Sequence, residues 1–393
     1  MITLILLLMI ILILTAIIVV ATLLFLRLAP QIGGTLHGSR LVKIESSLNY
    51  ADGRFQNLAD TPRGIQSDSR IEFMRDYSAA KELRRPAGPI PCGKPDYRKP
   101  VQQDGLRITW LGHSTVHIQI GEYSILVDPV FNPRPSPIKG FGPKVFQQQN
   151  PTLSSDIPDL NAIVISHDHY DHLDYSTIKE LEPRTDRFIV PLGVGAHLER
   201  WGIDPSKIVE LYWGESFDLN DEVKFTAAPS QHFSGRRPSM QNRTLWNAWV
   251  IKGIGRSVFF GGDSGYFSGF RDIGNEYGPF DVVMLDCGQY SKYWAAIHMH
   301  PEQVVQASCD LRGKVLLPIH WGKLNLSFHP WTEPIERVIT ELERRSFDTE
   351  LIDGENDEGT EADELAINLK LATPLIGETF DPSGSVPSRK WWN

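Results

Sequence analysis

Ala162-Ile163-Val164-Ile165-Ser166-His167-Asp168-His169-Tyr170-Asp171-His172 runs from an apolar, β-branched segment straight into a cluster of ionisable side chains. The first four residues read as a buried strand. Three imidazoles and two carboxylates follow within His167–His172. Burying ionisable groups at that density requires compensation, which a divalent metal supplies. In a strand-to-helix turn, alternate residues point into one cleft. His167 and His169 then reach one ion, while Asp171 and His172 reach a second beside it. Nitrogen and oxygen donors without thiolate favour zinc, with iron or manganese as alternatives. A solvated polar loop is the plain alternative and accounts poorly for such a density.

One loop cannot complete two coordination shells, so further ligands are expected at other strand ends. His232 follows Lys224–Ala228, Asp263 follows the apolar run Ser257–Phe260, and His320 follows Val315–Ile319. Singly, each is as easily structural; three metal-competent side chains at three strand termini are not. Metal-bound imidazoles need a partner on the other ring nitrogen, and Asp128, at a strand end before Pro129, suits that role. Capping the strand is the competing reading for Asp128. His113 reads equally as a site or a loop histidine, and His300, before Pro301, as a substrate contact or a helix cap. His37, His117, His197 and His329 read as structural or surface residues. Tyr290, Tyr293 and Trp294 are candidates for contact with acyl chains or an interface, against core packing. Phe131, Ile138 and Phe141 raise the same question.

Outward from the histidine loop, the chain from Leu106 onward carries short β-branched runs. These are Arg107–Trp110, Thr115–Ile120, Ser124–Val127, Ala162–Ile165, Arg187–Val190, Lys207–Leu211, Val223–Ala227, Ala248–Ile251, Ser257–Phe260, Val282–Leu285 and Val315–Pro318. Helical patterns fall at Tyr175–Leu181, Gly195–Trp201, Pro301–Asp310 and Pro334–Arg345. A meander followed by strand–helix alternation implies a layered α/β sandwich. Residues 27–105, rich in Pro, Gly and Arg, read as an irregular arm with one helix near Ile71–Leu83. Asp353–Glu364 reads as a solvated acidic loop. Ile2–Leu26 contains no charge and as a helix measures roughly 37 Å, against a hydrocarbon core of about 30 Å. It reads as a transmembrane anchor over residues 1–26, ahead of the arm at 27–105 and a catalytic domain at 106–393. Arg27, Arg40 and Lys43 follow the span, which slightly favours a cytoplasmic catalytic domain over an extracytoplasmic one.

Composition limits the partners. Of 393 residues, 39 are basic and 48 acidic, for a net charge of −9. With no basic run, nucleic acid is not expected as the partner. Three scattered cysteines (Cys92, Cys287 and Cys309) exclude a disulfide framework.

The H-x-H-x-D-H pattern of His167, His169, Asp171 and His172, with His232, Asp263 and His320, resembles the metallo-β-lactamase fold hydrolases. Closer similarity is to the N-acylphosphatidylethanolamine-hydrolysing phospholipase D branch. It is carried by Thr109–Thr115, Asp128–Phe131, Pro229–His232, Gly262–Tyr266, His298–Glu302 and Ile319–Gly322. The resemblance implies a four-layer αββα sandwich with two zinc ions at one edge. One ion takes His167, His169 and His232; the other takes Asp171, His172 and His320; Asp263 bridges both. It also implies a phosphodiesterase that releases N-acylethanolamine and leaves phosphatidic acid. Asp171 and Asp263 are then catalytic, and His298, with Tyr290 and Tyr293, meets the substrate. Phospholipid and membrane are the expected partners; a homodimer stays open. A zinc lactonase or phosphoesterase acting on a small soluble substrate is the alternative enzyme. A non-catalytic sensor that kept the fold is the alternative of another class.

Overall fold

The computed structural model describes residues 2–393 apart from 63, 65, 67–68, 98–101, 103 and 354–367. The acidic stretch expected as a loop therefore lies, from 354 onward, outside the described residues. Helix α1 (Ile2–Leu28) buries none of its side chains against the rest of the chain. By length and composition it is a candidate membrane span.

The arm holds more regular structure than its composition implies. It carries helix α2 (Gly38–Glu45), a ribbon of β1 (Tyr50–Ala51) and β2 (Arg54–Phe55), and helix α3 (Arg70–Ser78). The helix expected near Ile71–Leu83 stops early because Ala79 is extended and Ala80 left-handed (φ 47°); a short 3₁₀ turn follows at Lys81–Arg84. Phe55 and Ile44 are fully buried against Leu192, Leu245 and Trp246, which fastens the arm to the domain.

The domain begins with a meander of β3 (Leu106–Trp110), β4 (Val116–Ile120) and β5 (Tyr123–Val127). Next come β6 (Leu160–Val164), helix α4 (Tyr175–Leu181), β7 (Thr185–Pro191), helix α5 (Gly195–Arg200) and β8 (Ile208–Leu211). The second half holds β9 (Ser216–Leu219), β10 (Val223–Ala228), β11 (Ala248–Gly253), β12 (Arg256–Phe260), helix α6 (Gly269–Tyr277) and β13 (Val282–Asp286). Helix α7 (Pro301–Asp310), β14 (Val315–Ile319), helix α8 (Glu333–Asp353), β15 (Lys370–Leu371) and β16 (Thr379–Phe380) complete it. Two seven-stranded sheets result, ordered β16-β3-β4-β5-β6-β7-β8 and β15-β14-β13-β12-β11-β10-β9. The expected four-layer αββα sandwich is what the chain forms.

Side-chain alternation shows why the layers stack. Successive strand residues point to opposite faces, so Ile125 and Val127 join the core between the sheets while Leu126 joins the outer one under α4 and α5. Ala162 and Val164 likewise face inward and Ile163 outward. Strands buried on both faces read as continuous apolar runs, which is why these segments were legible. The Ser216–Leu219, Lys370–Leu371 and Thr379–Phe380 strands were not: they are short, and all three lie at sheet edges. The second sheet is covered by α6, α7 and α8, whose Phe270, Val304 and Ile335 are fully buried.

Pairing places the loops. β3 and β5 are each antiparallel to β4, and β6 is parallel to β5. In the other sheet β10 and β12 are antiparallel to β11, with β13 and β14 parallel to β12. The strands leading to His113, Asp128, the histidine loop, His232, Asp263, Asp286 and His320 thus share a direction within each sheet. Their C-terminal ends meet along one edge of the sandwich.

Candidate metal centre

At that edge His167, His169, His232 and Asp263 converge, as do His113, Asp171, His172 and His320; Asp263 also reaches His298 and His320. The seven residues expected around two metals are brought together, with His113 added beside them. Asp263 Oδ2 sits between the two groups. It lies 3.1 Å from His172 Nε2, 3.2 Å from His320 Nε2, 3.7 Å from His232 Nε2 and 3.8 Å from His167 Nε2. Its Oδ1 is buried and unpartnered.

The outer nitrogens explain which atoms face inward. Asp128 Oδ2 accepts from His172 Nδ1 (2.7 Å) and from Ser166 Oγ, while Asp128 Oδ1 accepts from Ser166 N (2.7 Å). With its own proton committed to Asp128, Ser166 Oγ accepts from His167 Nδ1 at 2.9 Å. His232 Nδ1 donates to Ile297 O (3.0 Å) and His320 Nδ1 to Asp286 Oδ1 (3.1 Å). Four rings therefore carry their proton on Nδ1 and turn a bare Nε2 inward. His172 Nε2 and His320 Nε2 lie 3.4 Å apart, as do His232 Nε2 and His169 Nδ1; His167 Nε2 and His169 Nδ1 lie 2.8 Å apart. Asp171 Oδ2 stands 3.4 Å from His320 Nε2 and 3.5 Å from His172 Nε2.

Lone pairs facing one another at these distances call for a cation. Donors on a tetrahedral ion with bonds of about 2.0–2.1 Å stand about 3.3 Å apart, close to most of these spacings. Protons are the only other way to supply the charge. Burial by itself lowers His320, but Asp263 and Asp286, with hydrogen bonds donated to Asp171 and Asp286, outweigh it and push the imidazole up to about 10. His172 is raised in the same way, against burial, by Asp263 and Asp171. His167 and His232, where burial dominates, are held well below the usual imidazole range. The residues fit a metal centre.

Three left-handed non-glycine residues stand at the same edge. His113, Asp128 and His320 hold φ values of 55°, 43° and 64°, a left-handed conformation costing about 1–3 kcal/mol for a non-glycine residue. Gly262 (φ 59°) has no such freedom to exchange, since a Cβ there would lie 2.8 Å from Ser166 Cβ. Close approach of the Asp263 loop to the histidine loop requires glycine.

A cavity of about 750 Å³ opens over the cluster. Its floor includes His169, Asp171, His232, Asp263, His298 and His320, and apolar lining comes from Phe233, Trp294, Ala295, Ala296, Ile297 and Leu326. One wall is the arm itself, from Gln56 through Asn57, Leu58 and Asp60 to Gln66.

The chain from Tyr123 to Trp321 matches the family described as the beta-lactamase superfamily domain. It belongs to the metallo-β-lactamase superfamily. As a member it is a metal-dependent hydrolase with His/Asp clusters able to bind metal. A protein of Mycobacterium tuberculosis, named only as uncharacterized, is 38% identical over 356 residues, covering 88% of each chain. The N-acyl-phosphatidylethanolamine-hydrolyzing phospholipase D 1 of Caenorhabditis elegans is 33% identical over 267 residues, covering 65% of this chain and 72% of that one. A possible metal-dependent hydrolase from Veillonella parvula shares the fold at a TM-score of 0.52 and 16% identity, covering 70% of this chain and 99% of that one.

Beyond the superfamily ligand pattern, the remaining residues divide clearly. His298 lines the cavity with Nδ1 donating to Asp286 at 2.6 Å. Tyr290 and Tyr293, expected at the substrate, are instead buried and absent from the cavity lining. Tyr290 stacks on His329 and donates to Glu333 (2.6 Å); Tyr293 packs on Phe73 and Phe328 and donates to Asp76 (2.9 Å). Residues of α8 hold the Tyr290 ring and residues of α3 the Tyr293 ring, and only Trp294 of the three reaches the cavity. His300 caps α7. His113 donates to Asp171 (2.9 Å), and burial with His320 nearby holds it down at about 3. Phe131 is half-buried in the outer core, while Ile138 and Phe141 are exposed.

Sequence reasoning missed Asp286, Asn57 and Arg236. Asp286 is fully buried and serves both His298 and His320. It closes an apolar strand just as Asp128 does, so the criterion that found Asp128 could have found it. Asn57 bonds both N and O of His232, at 3.1 and 2.9 Å. No local pattern marks that contact across 175 residues of chain.

Proposed function

We propose that this protein is a membrane-anchored dinuclear zinc phosphodiesterase of the phospholipase D type. Its substrate is N-acylphosphatidylethanolamine or a related glycerophospholipid, cleaved to N-acylethanolamine and phosphatidic acid. The observation that carries the reading is a double His/Asp cluster at the floor of a cavity of about 750 Å³ with a partly apolar lining. The name of the C. elegans relative and the long apolar helix Ile2–Leu28 support a lipid substrate.

In this reading His167, His169 and His232 hold one ion, Asp171, His172 and His320 the other, and Asp263 both. When bound, the ions supply Lewis acidity toward a phosphoryl oxygen and water reactive near neutral pH. The chain's own contributions follow from its hydrogen bonds. Asp128, Ser166 and Asp286 hold the rings in one tautomer, so their Nε2 atoms need not reorient. His113 steadies Asp171 at the cavity floor. His298, fixed through Nδ1, keeps a bare Nε2 that accepts a hydrogen bond from water or a substrate N–H in the cavity. Phe233, Trp294 and Ile297 offer apolar surface to acyl chains and exclude water from the reacting end.

The test is incubation of detergent-purified, zinc-loaded protein with N-acylphosphatidylethanolamine, phosphatidylethanolamine and phosphatidylcholine in mixed micelles, products being read by mass spectrometry. Release of N-acylethanolamine and phosphatidic acid by the wild type and not by Asp263→Asn supports the proposal. No lipid turnover with zinc bound overturns it in favour of a small soluble lactone or phosphoester. In water labelled with ¹⁸O, the label is expected in phosphatidic acid; label in the ethanolamide rejects attack at phosphorus.

A further inference from the structure

Arg236 is 3% exposed and makes three bonds to backbone carbonyls. Its Nη1 donates to Asp168 O (2.7 Å) and Leu173 O (2.9 Å), and its Nε donates to Gln31 O (2.8 Å). The first two carbonyls bracket the segment that carries His169, Asp171 and His172. The third belongs to the turn that leaves α1. The guanidinium lies 4.1 Å from the ring centroid of Tyr170, whose hydroxyl donates to Arg236 O at 2.7 Å. Loop and arginine thus enclose one another.

A second line joins the same two elements. Gly34 N donates to His197 Nδ1 (2.9 Å), which leaves the proton on Nε2 to donate to Asp168 Oδ2 (3.1 Å). Asp168 also accepts from Thr244 Oγ1 (2.9 Å) and Gly235 N (2.6 Å), so its carboxylate faces away from the metal-competent cluster. The exit turn sits close enough that a Cβ on Gly34 would lie 1.9 Å from Ala196 O.

We propose that Arg236 is a positioning residue through which docking of the membrane-exit turn, residues 29–34, sets the geometry of the metal-ligand loop. The chain then binds metal tightly only when its N-terminal segment is seated on the domain. This rests on the metal centre and not on the identity of the substrate. A guanidinium spans three carbonyls as a planar fork; an ammonium is a point donor and does not. Partners behind metal ligands are worth about 10–100-fold in metal affinity.

The experiment uses full-length protein in detergent micelles, stripped of metal and titrated with Co²⁺ against a competing chelator, with the visible absorption of the bound ion as readout. Arg236→Lys and Gly34→Ala are expected to weaken Co²⁺ binding by about 10-fold or more. Arg237→Lys is expected to bind as wild type, because among the described residues Arg237 hydrogen-bonds to Leu26 O (3.2 Å) and not to the loop. His197→Ala severs the Gly34 link without a clash and replaces Gly34→Ala if that variant does not fold. Thermal unfolding of the metal-free proteins separates the alternatives: a merely structural role lowers Tm and leaves Co²⁺ affinity alone. Wild-type affinity in Arg236→Lys, wild-type affinity when the Gly34 link is broken, or an equal loss in Arg237→Lys each overturns the proposal. Lipid turnover is not measured, so its absence in the earlier assay leaves this result standing.

Discussion

Replacing Asp128 by Asn isolates one electrostatic contribution to the metal centre. Asp128 is fully buried with φ 43°, a conformation Asn tolerates well, and the two side chains have the same shape. Packing and backbone strain should therefore carry over unchanged. The hydrogen bonds do not. Oδ1 accepts from Ser166 N and Oδ2 from His172 Nδ1, both at 2.7 Å. An amide has one acceptor atom for these two donors. If its oxygen stays on Ser166 N, its NH₂ meets His172 Nδ1–H; relief requires the His172 proton to move to Nε2, the atom that faces Asp263 and His320. If the amide flips, the NH₂ opposes a backbone N–H instead. Either way a buried group loses its partner, at about 1–3 kcal/mol, or about 5–150-fold in an equilibrium constant. Competition between the protein and a chromophoric chelator for Zn²⁺ measures this directly. The expected result is a loss of about 10–100-fold in affinity with unchanged far-UV circular dichroism. Affinity within threefold of wild type refutes the assignment of His172 Nδ1 as donor to Asp128.

Metal affinity should rise with pH, because His320, pushed up to about 10, holds a proton in the metal-free protein. Binding must expel that proton, which adds about tenfold per pH unit between pH 6 and 8; calorimetry in buffers of different ionisation enthalpy counts it, and a flat profile contradicts a protonated His320 in the metal-free protein. Asn57→Ala strands the buried N–H and C=O of His232, and should cost about 2–3 kcal/mol of stability; urea denaturation checks it, and a change under 0.5 kcal/mol places the His232–arm contact in doubt. If α1 is an anchor, full-length protein with its N-terminus intact stays in membranes through alkaline carbonate extraction. A mature chain lacking residues 2–28 identifies a signal sequence instead.

Much of this molecule was legible without coordinates because its chemistry is crowded into short stretches. Apolar runs buried on two faces marked eleven strands from Leu106 onward, and the density of His and Asp in 167–172 demanded a counter-charge. His232, Asp263 and His320 were recognisable by position alone, each just beyond a strand. Where a side chain points was not legible. Asp168 stands between two site histidines in sequence, yet its carboxylate turns away to His197, Thr244 and Gly235. Tyr290 and Tyr293 share composition with Trp294, and only the last reaches the cavity. The arm read as an irregular segment, and only the structure made it one wall of the site.

By itself, then, the sequence determined the element types, the layered class and the inventory of metal donors, since these follow from local periodicity and from the cost of burying charge. The tertiary structure alone decided which partners stand behind those donors. Asn57 and Arg236 act through contacts across tens to hundreds of residues, and no local pattern encodes a distance that exists only once two sheets and an arm have closed on one another.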